Sequence, residues 1–358
     1  MKIGILTFYA AHNYGAVLQA LASQYYLKSM GHKAYIIDYA QKNKYKTNFY
    51  LKELSFINNV KFFITSLITY PFLLRRYSIF NHFIRKNMNL FHGDWESTHN
   101  NFDCFYVGSD QVWNPLYWNK YHPRFFCQFP GAKGKICIAY AVSMKIDYIP
   151  QGMTTVLEKY LKAFSAISVR EQSVKKLIEP LANTPVEIAI DPTLLLTKEE
   201  WFELLPPPPK APIKPYIVVY KLQQSDLTEK ISKAVAKMYN YKIIEIPAYV
   251  NFKDLKSFKT PTPIEFVHLI ANAQFVVTTS FHGTVFSIIM QRPFYSIVIN
   301  DKDERIRGLL TQCGLEQRIV KEIPDNINNK INWEEVQNKL KLSIKHSKDF
   351  LSKSLEFC

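Results

Sequence analysis

Short apolar runs alternate with helical stretches along most of this chain, and this alternation limits the available folds most strongly. In the first half, strand-like runs cover residues 3–7, 34–38, 104–108, 136–142, 166–169 and 186–190. A first helix is expected over about 15–30. Buried runs of this length, separated by helices, are typical of the strands of a parallel sheet. The sequence therefore predicts a doubly wound α/β domain with a helical insertion over about 41–100.

A proline-rich segment, PPPPKAPIKP at 206–215, divides the chain. Such a segment is stiff and extended and cannot pair into a sheet, so it is predicted to be an interdomain linker. Beyond it, strand-like runs at 216–220, 243–246, 275–278 and 294–298 again alternate with helical stretches. The expected layout is a first Rossmann-like domain over 1–205, a second over 216–332, and a C-terminal helix within 333–358 that folds back on the first domain. Two such domains would face a shared cleft with the carboxyl ends of their strands.

Composition and cysteine spacing exclude several classes of protein. The chain has 358 residues, 47% of them hydrophobic and 21% charged, which is enough to build full cores without disulfide or metal staples. Its five cysteines never form a CxxC pair, so a zinc site, an iron–sulfur cluster or a disulfide framework is not expected. The apolar run at residues 3–8 is too short for a signal peptide. We therefore expect a cytoplasmic protein.

The formal net charge of +15 calls for an anionic partner, and the excess is concentrated between residues 41 and 92. This stretch has a single acid, Glu53, and nine cations interleaved with aromatic and aliphatic residues: Lys42, Lys44, Lys46, Lys52, Lys61, Arg75, Arg76, Arg85 and Lys86. Docking on an anionic membrane surface is one interpretation, and a solvated face of an insertion is the other. Nucleic acid is not expected, because no nucleic-acid-binding motif accompanies the charge. Pro71 interrupts an apolar part too short to span a bilayer.

The segment VVTTSFHGTVFSIIM at 276–290 is the most informative for chemistry. It predicts a buried strand that passes through a hydroxyl-rich turn directly into an apolar helix, with His282 at the turn. The amino end of a helix reached in this way binds phosphates and carboxylates. An imidazole beside such an anion site is suited to general acid–base catalysis. The alternative is a histidine that only caps the helix or satisfies a hydrogen bond in the core.

Further loops follow strand ends and are expected to converge on the same cleft. After the first strand, Asn13 and Gly15 allow a tight turn into a helix that carries Gln19. After the strand at 104–107, the segment Gly108–Pro115 offers Ser109, the carboxylate of Asp110, and Trp113 as a surface for stacking on a sugar ring. The alternatives are a plain βα turn for the first loop and an Asx turn at Asp110 for the second.

Candidate cations also follow strands. Arg170 ends a buried strand, where a guanidinium is costly unless it meets an anion. Its alternative is a structural ion pair with Glu171 or Asp191. Asp191 also follows a strand, and the Asp-Pro-Thr turn that it begins indicates a turn or interdomain role as much as a catalytic one. In the second domain, Lys221 follows the strand-like run at 216–220, and Arg305 begins a helix after residues 301–304. Either is a candidate to meet a donor's charge, and the alternative is a solvated surface cation.

Taken in order, these motifs resemble the polysaccharide pyruvyl transferase family over most of the chain. The resemblance is carried by NYGAVLQ at 13–19, GSDQVW at 108–113, SVREQS at 168–173, SFHG at 280–283 and RIRGLL at 305–310. It implies a GT-B-like pair of Rossmann-like domains, the first on the acceptor side and the second on the donor side. It also implies transfer of a pyruvyl group from phosphoenolpyruvate to a sugar hydroxyl or diol of a cell-surface polysaccharide precursor, as in capsule or exopolysaccharide biosynthesis.

The resemblance also assigns roles and partners. His282 is expected to act as acid or base on the donor, and Asp110 as base for the acceptor hydroxyl. Donor and phosphate contacts are expected from Arg170, Ser280, Gly283, Thr284, Lys221 and Arg305, and acceptor contacts from Asn13, Gly15, Gln19, Ser109 and Trp113. The expected partners are phosphoenolpyruvate as co-substrate and a lipid-linked or polymeric sugar, with no metal and no other cofactor. The sequence predicts no particular oligomeric state.

One position departs from the family pattern. Ser280 stands where many members have an arginine, two positions before the histidine. Donor anchoring would then rest on Arg170, with Lys221 or Arg305 as replacements, or the donor is not phosphoenolpyruvate. A GT-B-type glycosyltransferase with a nucleotide-sugar donor is the alternative enzyme, and a non-catalytic protein that binds glycans or membranes is the alternative outside catalysis.

Overall fold

A computed structural model describes residues 1–39, 59–209, 214–222, 225–248, 260–298, 304–325, 327 and 330–356, with the backbone alone for 59–69. Its first sheet has seven strands: β1 (Lys2–Leu6), β2 (Lys33–Ile37), β3 (Leu90–Phe91), β4 (Cys104–Val107), β5 (Ile136–Val142), β6 (Ala166–Val169) and β7 (Val186–Ile188). They are ordered β3-β2-β1-β4-β5-β6-β7, and every pairing is parallel. In the register, Ile3 lies between Ala34 and Cys104. The central strands are buried on both faces, which is why they appear as continuous apolar runs.

The helices that accompany this sheet are α1 (Tyr14–Ser29), α2 (Asn59–Asn87), α3 (Thr154–Leu161), α4 (Gln172–Ile178) and α5 (Lys198–Leu204). Helix α1 is buried on nearly every side from Tyr14 to Gln24 and therefore lacks the polar face of an ordinary surface helix. Asn13 caps it by accepting the Gly15 N–H at 2.9 Å. Its burial reflects its position between the two sheets, where it contacts β2 of the first sheet and two helices of the second.

The second sheet contains β8 (Tyr216–Lys221), β9 (Lys242–Pro247), β10 (Phe275–Thr278) and β11 (Phe294–Ser296), all parallel and ordered β11-β10-β8-β9. Its helices are α6 (Asp226–Tyr239), α7 (Pro263–Ala271), α8 (Phe281–Ile289) and α9 (Glu304–Cys313). One apolar core combines side chains from both sheets, such as Ile3 and Val218, with those of α1. The predicted fold class, two Rossmann-like parallel α/β units facing one another, is confirmed.

Strand order places a crevice at the carboxyl edge of each sheet. In the first sheet the chain moves outward from β1 to β3 and then returns to the other side of β1 with β4. The second sheet reverses in the same way between β8 and β10. Ligands of open α/β sheets bind outside the carboxyl ends of the strands at such reversals. The loops after β1, β4, β8 and β10 therefore frame the candidate site.

The last helix, α10 (Trp333–Glu356), lies against the first sheet. The Oγ of Ser347 accepts the Ile190 N–H at 3.1 Å, and the Phe350 ring centroid is 6.2 Å from that of Tyr140. The C-terminal segment thus crosses back from the second sheet to the first. Part of the expected linker, residues 210–213, lies outside the described residues.

Helix α2 occupies the predicted insertion and contains Pro71, while the cations at 42–52 lie outside the described residues. Phe80, Phe83 and Ile84 anchor the second half of this helix in the core. Arg76, counted from the sequence among the surface cations, is instead buried. Its guanidinium donates to the carbonyls of Pro247 at 3.2 Å and His12 at 2.9 Å. Arg76 therefore ties the insertion to both sheets and does not contribute to an exposed basic face. No helix in the described part of the chain is long and apolar enough to cross a membrane.

Candidate active site

Asp191 lies at the centre of the polar groups where the two sheets meet. Its Oδ1 accepts hydrogen bonds from the Thr193 N–H at 3.0 Å and the Thr193 hydroxyl at 2.7 Å, which hold the turn after β7. Its Oδ2 faces the cleft, at 2.6 Å from Arg170 Nη1, 3.3 Å from Ser109 Oγ and 3.6 Å from His282 Nε2. One carboxylate thus joins two strand ends of the first sheet to a helix of the second. We call this group the Arg170–Asp191–His282 cluster.

The charges in this cluster stabilise one another. Burial alone would raise the pKa of the Asp191 carboxyl, but His282, Arg170 and the Thr193 hydroxyl together hold it well below its usual range. Burial likewise works against the charge of Arg170, and the carboxylates of Asp191, Glu171 and Asp110 overcome it and raise the pKa of the guanidinium. At neutral pH the cluster therefore contains an ionised carboxylate and an ionised guanidinium. Removing either partner would leave a buried charge uncompensated.

Arg170 follows β6 and lies over the Phe281 ring, with its guanidinium carbon 5.0 Å from the ring centroid. The structural ion pair with Asp191 is formed, but it uses only one end of the guanidinium. Nη2 is 3.8 Å from Asp110 Oδ1, and neither Nη2 nor Nε has a hydrogen-bond partner among the described residues. A planar guanidinium with two such N–H groups can bind a carboxylate or phosphate.

His282 lies in the first turn of α8, where Ser280 caps the helix by accepting the Gly283 N–H at 3.4 Å. The imidazole is packed directly on α1 of the other sheet. A Cβ atom added to Gly15 would lie 2.1 Å from His282 Nδ1, far inside van der Waals contact. Only glycine at position 15 leaves room for this ring. The local sequences NYG and SFHG are therefore matched across the interface between the two sheets.

Asp110 and Ser109 approach the cluster from the loop after β4. Asp110 has a φ of 68°, a left-handed conformation that aspartate tolerates, and its carboxylate accepts the Gln111 N–H at 2.9 Å. Ser109 is buried, and its hydroxyl donates to the Ala141 carbonyl at 2.9 Å. The structure thus brings together His282, Arg170, Asp110 and Ser109 of the residues selected from the sequence.

Two residues that were predicted to contact the acceptor have side chains that are occupied by other contacts. The ring of Trp113 is buried, stacks on Phe126 at a centroid distance of 4.8 Å, and donates its N–H to the Phe125 carbonyl. It is not available to stack on a sugar, which corrects the sequence-based expectation. Gln19 is also buried, and its amide bridges Thr7 Oγ1 at 2.9 Å and the Ser109 N–H at 3.2 Å. Its contacts join the loops after β1 and β4 and leave no face for an acceptor.

The predicted donor contacts from the second sheet divide in the same way. Thr284 is buried, with its hydroxyl bonded to the Ser280 carbonyl and the Ser296 hydroxyl, so its expected contact with phosphate is corrected to a core role. Lys221 lies 3.7 Å from Glu245 in an ion pair. Arg305, by contrast, has its guanidinium carbon 5.7 Å from the centroid of the same Phe281 ring that Arg170 covers. Of the two replacement cations, Arg305 is the one that shares a surface with Arg170.

Two members of this region have only weak signals in the sequence. The Asp-Pro-Thr motif after a strand gives Asp191 a turn or interdomain role as much as a catalytic one. Glu171 was considered only as a structural ion-pair partner for Arg170, yet it is buried and accepts the Ser143 hydroxyl. Burial raises the pKa of its carboxyl. No group of three His, Cys, Asp or Glu side chains within the described ranges is arranged to hold a metal ion.

Comparison with protein families matches residues 13–301 to the model of polysaccharide pyruvyl transferase. No curated protein matches the chain. Among solved structures, UDP-GlcNAc 2-epimerase from Neisseria meningitidis bound to UDP-GlcNAc aligns with 99% of this chain and 94% of its own, at 10% identity and a TM-score of 0.48. The glycosyltransferase SnogD from Streptomyces nogalater aligns over 99% of both chains, at 11% identity and a TM-score of 0.45. At these values the solved structures give no indication of substrate.

Proposed function

Since this chain belongs to the polysaccharide pyruvyl transferase family, we propose that it moves a pyruvyl group from phosphoenolpyruvate to a hydroxyl pair of a sugar. The sugar would be part of a cell-surface polysaccharide precursor, the product a pyruvate ketal, and the second product inorganic phosphate. The observation that carries this proposal is the Arg170–Asp191–His282 cluster, in which a cation and an imidazole flank one buried carboxylate.

The reaction needs a proton for the methylene carbon of the enol phosphate and a base for the attacking hydroxyl. Protonation forms a C–H bond and leaves a cation at the neighbouring carbon, to which the first hydroxyl adds as its proton passes to a base. The C–O bond to phosphate then breaks, phosphate leaves with the electron pair, and the second hydroxyl closes the ketal as it loses its proton. His282 is the proposed acid toward the donor, and Asp110 the proposed base toward the acceptor.

Arg170 and Asp191 have supporting roles in this scheme. The Nη2 and Nε groups of Arg170 would bind the carboxylate or phosphate of the donor. Asp191 would orient the imidazole of His282, because its carboxylate lies 3.6 Å from Nε2 and stays ionised in the buried site. Arg305, across the Phe281 ring, would supply the charge that Ser280 cannot provide. The amino end of α8, at Gly283, would favour the departing phosphate.

The direct test is to incubate the purified chain with phosphoenolpyruvate and a panel of lipid-linked and soluble saccharides. The expected product is a saccharide whose mass has increased by one pyruvate less one water, together with an equal amount of free phosphate. A parallel arm replaces phosphoenolpyruvate with nucleotide sugars. Glycosyl transfer in that arm, with no reaction of phosphoenolpyruvate, would overturn the proposal in favour of a glycosyltransferase.

Donor binding can be measured without knowing the acceptor. Millimolar phosphoenolpyruvate should raise the melting temperature, because a ligand that binds only the native state stabilises it by mass action. Inorganic phosphate and UDP-sugars serve as comparison ligands. Stabilisation by UDP-sugars alone would contradict the donor assignment.

A further inference from the structure

The long connection between β4 and β5 exposes aromatic side chains beside the candidate active site. Residues 116–120 are exposed in succession. Leu116, Tyr117 and Trp118 retain 63%, 54% and 37% of their accessible surface. Contiguous exposed apolar side chains of this size often mark a binding surface. Trp113, the aromatic residue first expected to stack on a ligand, lies only a few positions earlier and is buried.

These exposed rings are held in fixed positions. The Tyr117 hydroxyl donates to Gln111 Oε1 at 2.9 Å, which fixes the far end of the ring. The Trp118 ring has its centroid 5.8 Å from that of Phe8 and 5.1 Å from that of His122. We call Phe8, Tyr117, Trp118 and His122 the aromatic platform. Because its rings are already ordered, a ligand would lose little side-chain entropy on binding there.

The aromatic platform is continuous with the Arg170–Asp191–His282 cluster. Phe8 directly follows Thr7, whose hydroxyl donates to the Ser109 carbonyl at 3.0 Å. Gln111, which holds Tyr117, is adjacent to Asp110, whose Oδ1 is 3.8 Å from Arg170 Nη2. Tyr117, Trp118 and His122 thus belong to the same loop as the candidate base Asp110, and Phe8 belongs to the loop after β1 at the same carboxyl edge of the first sheet. A ligand lying on the platform would extend from the site where transfer is proposed.

The chemistry of the platform suits a sugar. Burial, reinforced by Arg124 and Lys120, lowers the pKa of His122 to about 4, so its ring is neutral at pH 7. A neutral imidazole and the amide of Asn119 can exchange hydrogen bonds with hydroxyl groups. Tyrosine and tryptophan rings offer apolar faces that match the C–H face of a pyranose, with polar atoms at their edges.

We propose that the aromatic platform is the acceptor subsite, and that a pyranose ring of the acceptor saccharide stacks on Trp118 during transfer. The Tyr117 ring, whose plane is 79° from that of Trp118, would contact the edge of the same sugar. This inference rests on the proposed function, since it identifies the partner of Asp110 as a saccharide. It also replaces Trp113 in that role. The platform would hold the sugar equally before and during the reaction and would therefore act on acceptor affinity.

Steady-state kinetics with a soluble acceptor saccharide and phosphoenolpyruvate test this assignment. Trp118→Ala should raise the KM for the acceptor by up to about tenfold, with the KM for phosphoenolpyruvate and kcat little changed. Tyr117→Phe should have a smaller effect than Tyr117→Ala, because it keeps the ring and loses only the bond to Gln111. Tyr70→Ala removes a tyrosine of matched exposure, 57% against 54%, from α2 and is the control expected to leave both KM values unchanged. Melting temperatures verify that each variant is folded.

A binding measurement separates this inference from the proposed function. Saturation-transfer NMR of the native chain, without donor, uses methyl pyranosides of glucose, galactose, mannose and N-acetylglucosamine and the soluble acceptor as probes. Signals that disappear in Trp118→Ala support the platform even if phosphoenolpyruvate proves not to be the donor. Unchanged signals and an unchanged acceptor KM in folded Trp118→Ala would overturn the inference while leaving pyruvyl transfer intact. Absence of binding by every probe, or a change of oligomeric state without a change in acceptor KM, would also overturn it.

Discussion

Two strand–loop–helix connections meet at the cleft, one from each sheet. In the first, β1 leads through His12 to α1, with Asn13 as the cap and Gly15 in the first turn. In the second, β10 leads to α8, with Ser280 as the cap and His282 and Gly283 in the first turn. Each connection thus supplies one histidine and one early glycine, but the two histidines and the two glycines have different surroundings.

The histidines differ in the charge that they meet. His12 packs against the rings of Tyr77 and Phe80 at centroid distances of 4.7 and 5.9 Å. Burial, assisted by Arg76 and only partly offset by Asn81, lowers the pKa of His12 to about 4. His282 instead faces the ionised carboxylate of Asp191 at 3.6 Å. The comparison teaches that position after a strand does not by itself make a histidine a candidate acid. His12 is buried among aromatic rings and is neutral, whereas His282 faces a carboxylate that can orient it.

The glycines differ in what occupies the space beside them. A Cβ on Gly283 would lie 2.2 Å from Thr278 Oγ1, an atom of its own strand–helix connection. A Cβ on Gly15 would instead strike the imidazole of His282, which belongs to the other sheet. Gly283 therefore serves local packing, whereas Gly15 serves the fit between the two sheets.

The largest expected effect is on kcat, when each of the two histidines is replaced by glutamine in a separate variant. His282→Gln should lower kcat by about 10²- to 10⁴-fold, because it removes the proposed proton donor. His12→Gln should keep kcat within a few-fold of the native value, since that ring does not meet the cluster. Phosphate release with a saturating acceptor measures both. Comparable losses of kcat in the two variants would contradict the different roles assigned to His12 and His282.

The second largest effect is expected for Gly15→Ala. It should lower kcat by about 100-fold, because displacing a catalytic group by about 1 Å reduces the rate by that factor. Its melting temperature should fall less than that of Gly283→Ala, in which the added methyl group meets the backbone-bonded Thr278 hydroxyl. Activity and thermal melts on both variants test this. A fully active Gly15→Ala protein would show that the ring position does not matter.

Arg170→Lys tests whether the guanidinium of Arg170 binds the carboxylate or phosphate of the donor. Lysine keeps the charge opposite Asp191 but cannot offer the planar pair of N–H groups, so the KM for phosphoenolpyruvate should rise by about tenfold or more. The matched variant is Arg305→Lys, whose smaller expected effect reflects its position across the Phe281 ring. An unchanged donor KM in Arg170→Lys would limit that residue to its ion pair with Asp191.

A smaller effect is expected on the pH dependence of the free energy of unfolding. The pKa of His12 is about 4 in the folded chain against an ordinary value of 6.5, so the unfolded chain takes up this proton first on acidification. The stability present above pH 6.5 is therefore lost between pH 6.5 and about 4. His12→Gln should reduce that decline by at most about 3 kcal/mol. Urea melts at several pH values measure it, and an identical slope in both proteins would contradict the buried neutral state.

The weakest expected effect is on membrane association, which we propose for the outer face of α2. Arg75, Arg85 and Lys86 are exposed there, whereas Arg76 is buried against the β1–α1 connection. Changing the three exposed cations to glutamine should reduce sedimentation with anionic vesicles at low salt. Salt should release the native chain as well, because surface attraction is screened over about 10 Å at 0.1 M. If vesicle binding is unchanged both by the glutamine substitutions and by added salt, α2 does not dock on the membrane through these cations.

Local sequence was sufficient to predict the alternation of strands and helices and the strand–turn–helix around His282, because buried parallel strands and helix caps depend on neighbouring residues. The last helix was expected within 333–358 and spans Trp333–Glu356. The motifs also selected Arg170 and Asp110, which the fold brings together.

Side-chain direction could not be predicted in the same way. Trp113 and Trp118 lie in one loop, and only the packing of Phe126 under the first and the exposure of the second tell them apart. Arg76 is one of nine cations in a basic stretch, and its burial depends on carbonyl groups 64 and 171 positions away along the chain. Asp191 acquires its role only through Arg170 and His282. Such long-range contacts leave no periodic signal in a single sequence.

The measurement that tests the account most directly is kcat of the double variant Gly15→Ala with His282→Gln, beside the two single variants. If Gly15 acts by seating His282 against Asp191, the double variant should have the same kcat as His282→Gln alone, because the ring that the methyl group would displace is already gone. If the two losses multiply, Gly15 supports catalysis by some other route. That result would contradict the proposal that the contact between Gly15 and His282 positions the imidazole for catalysis.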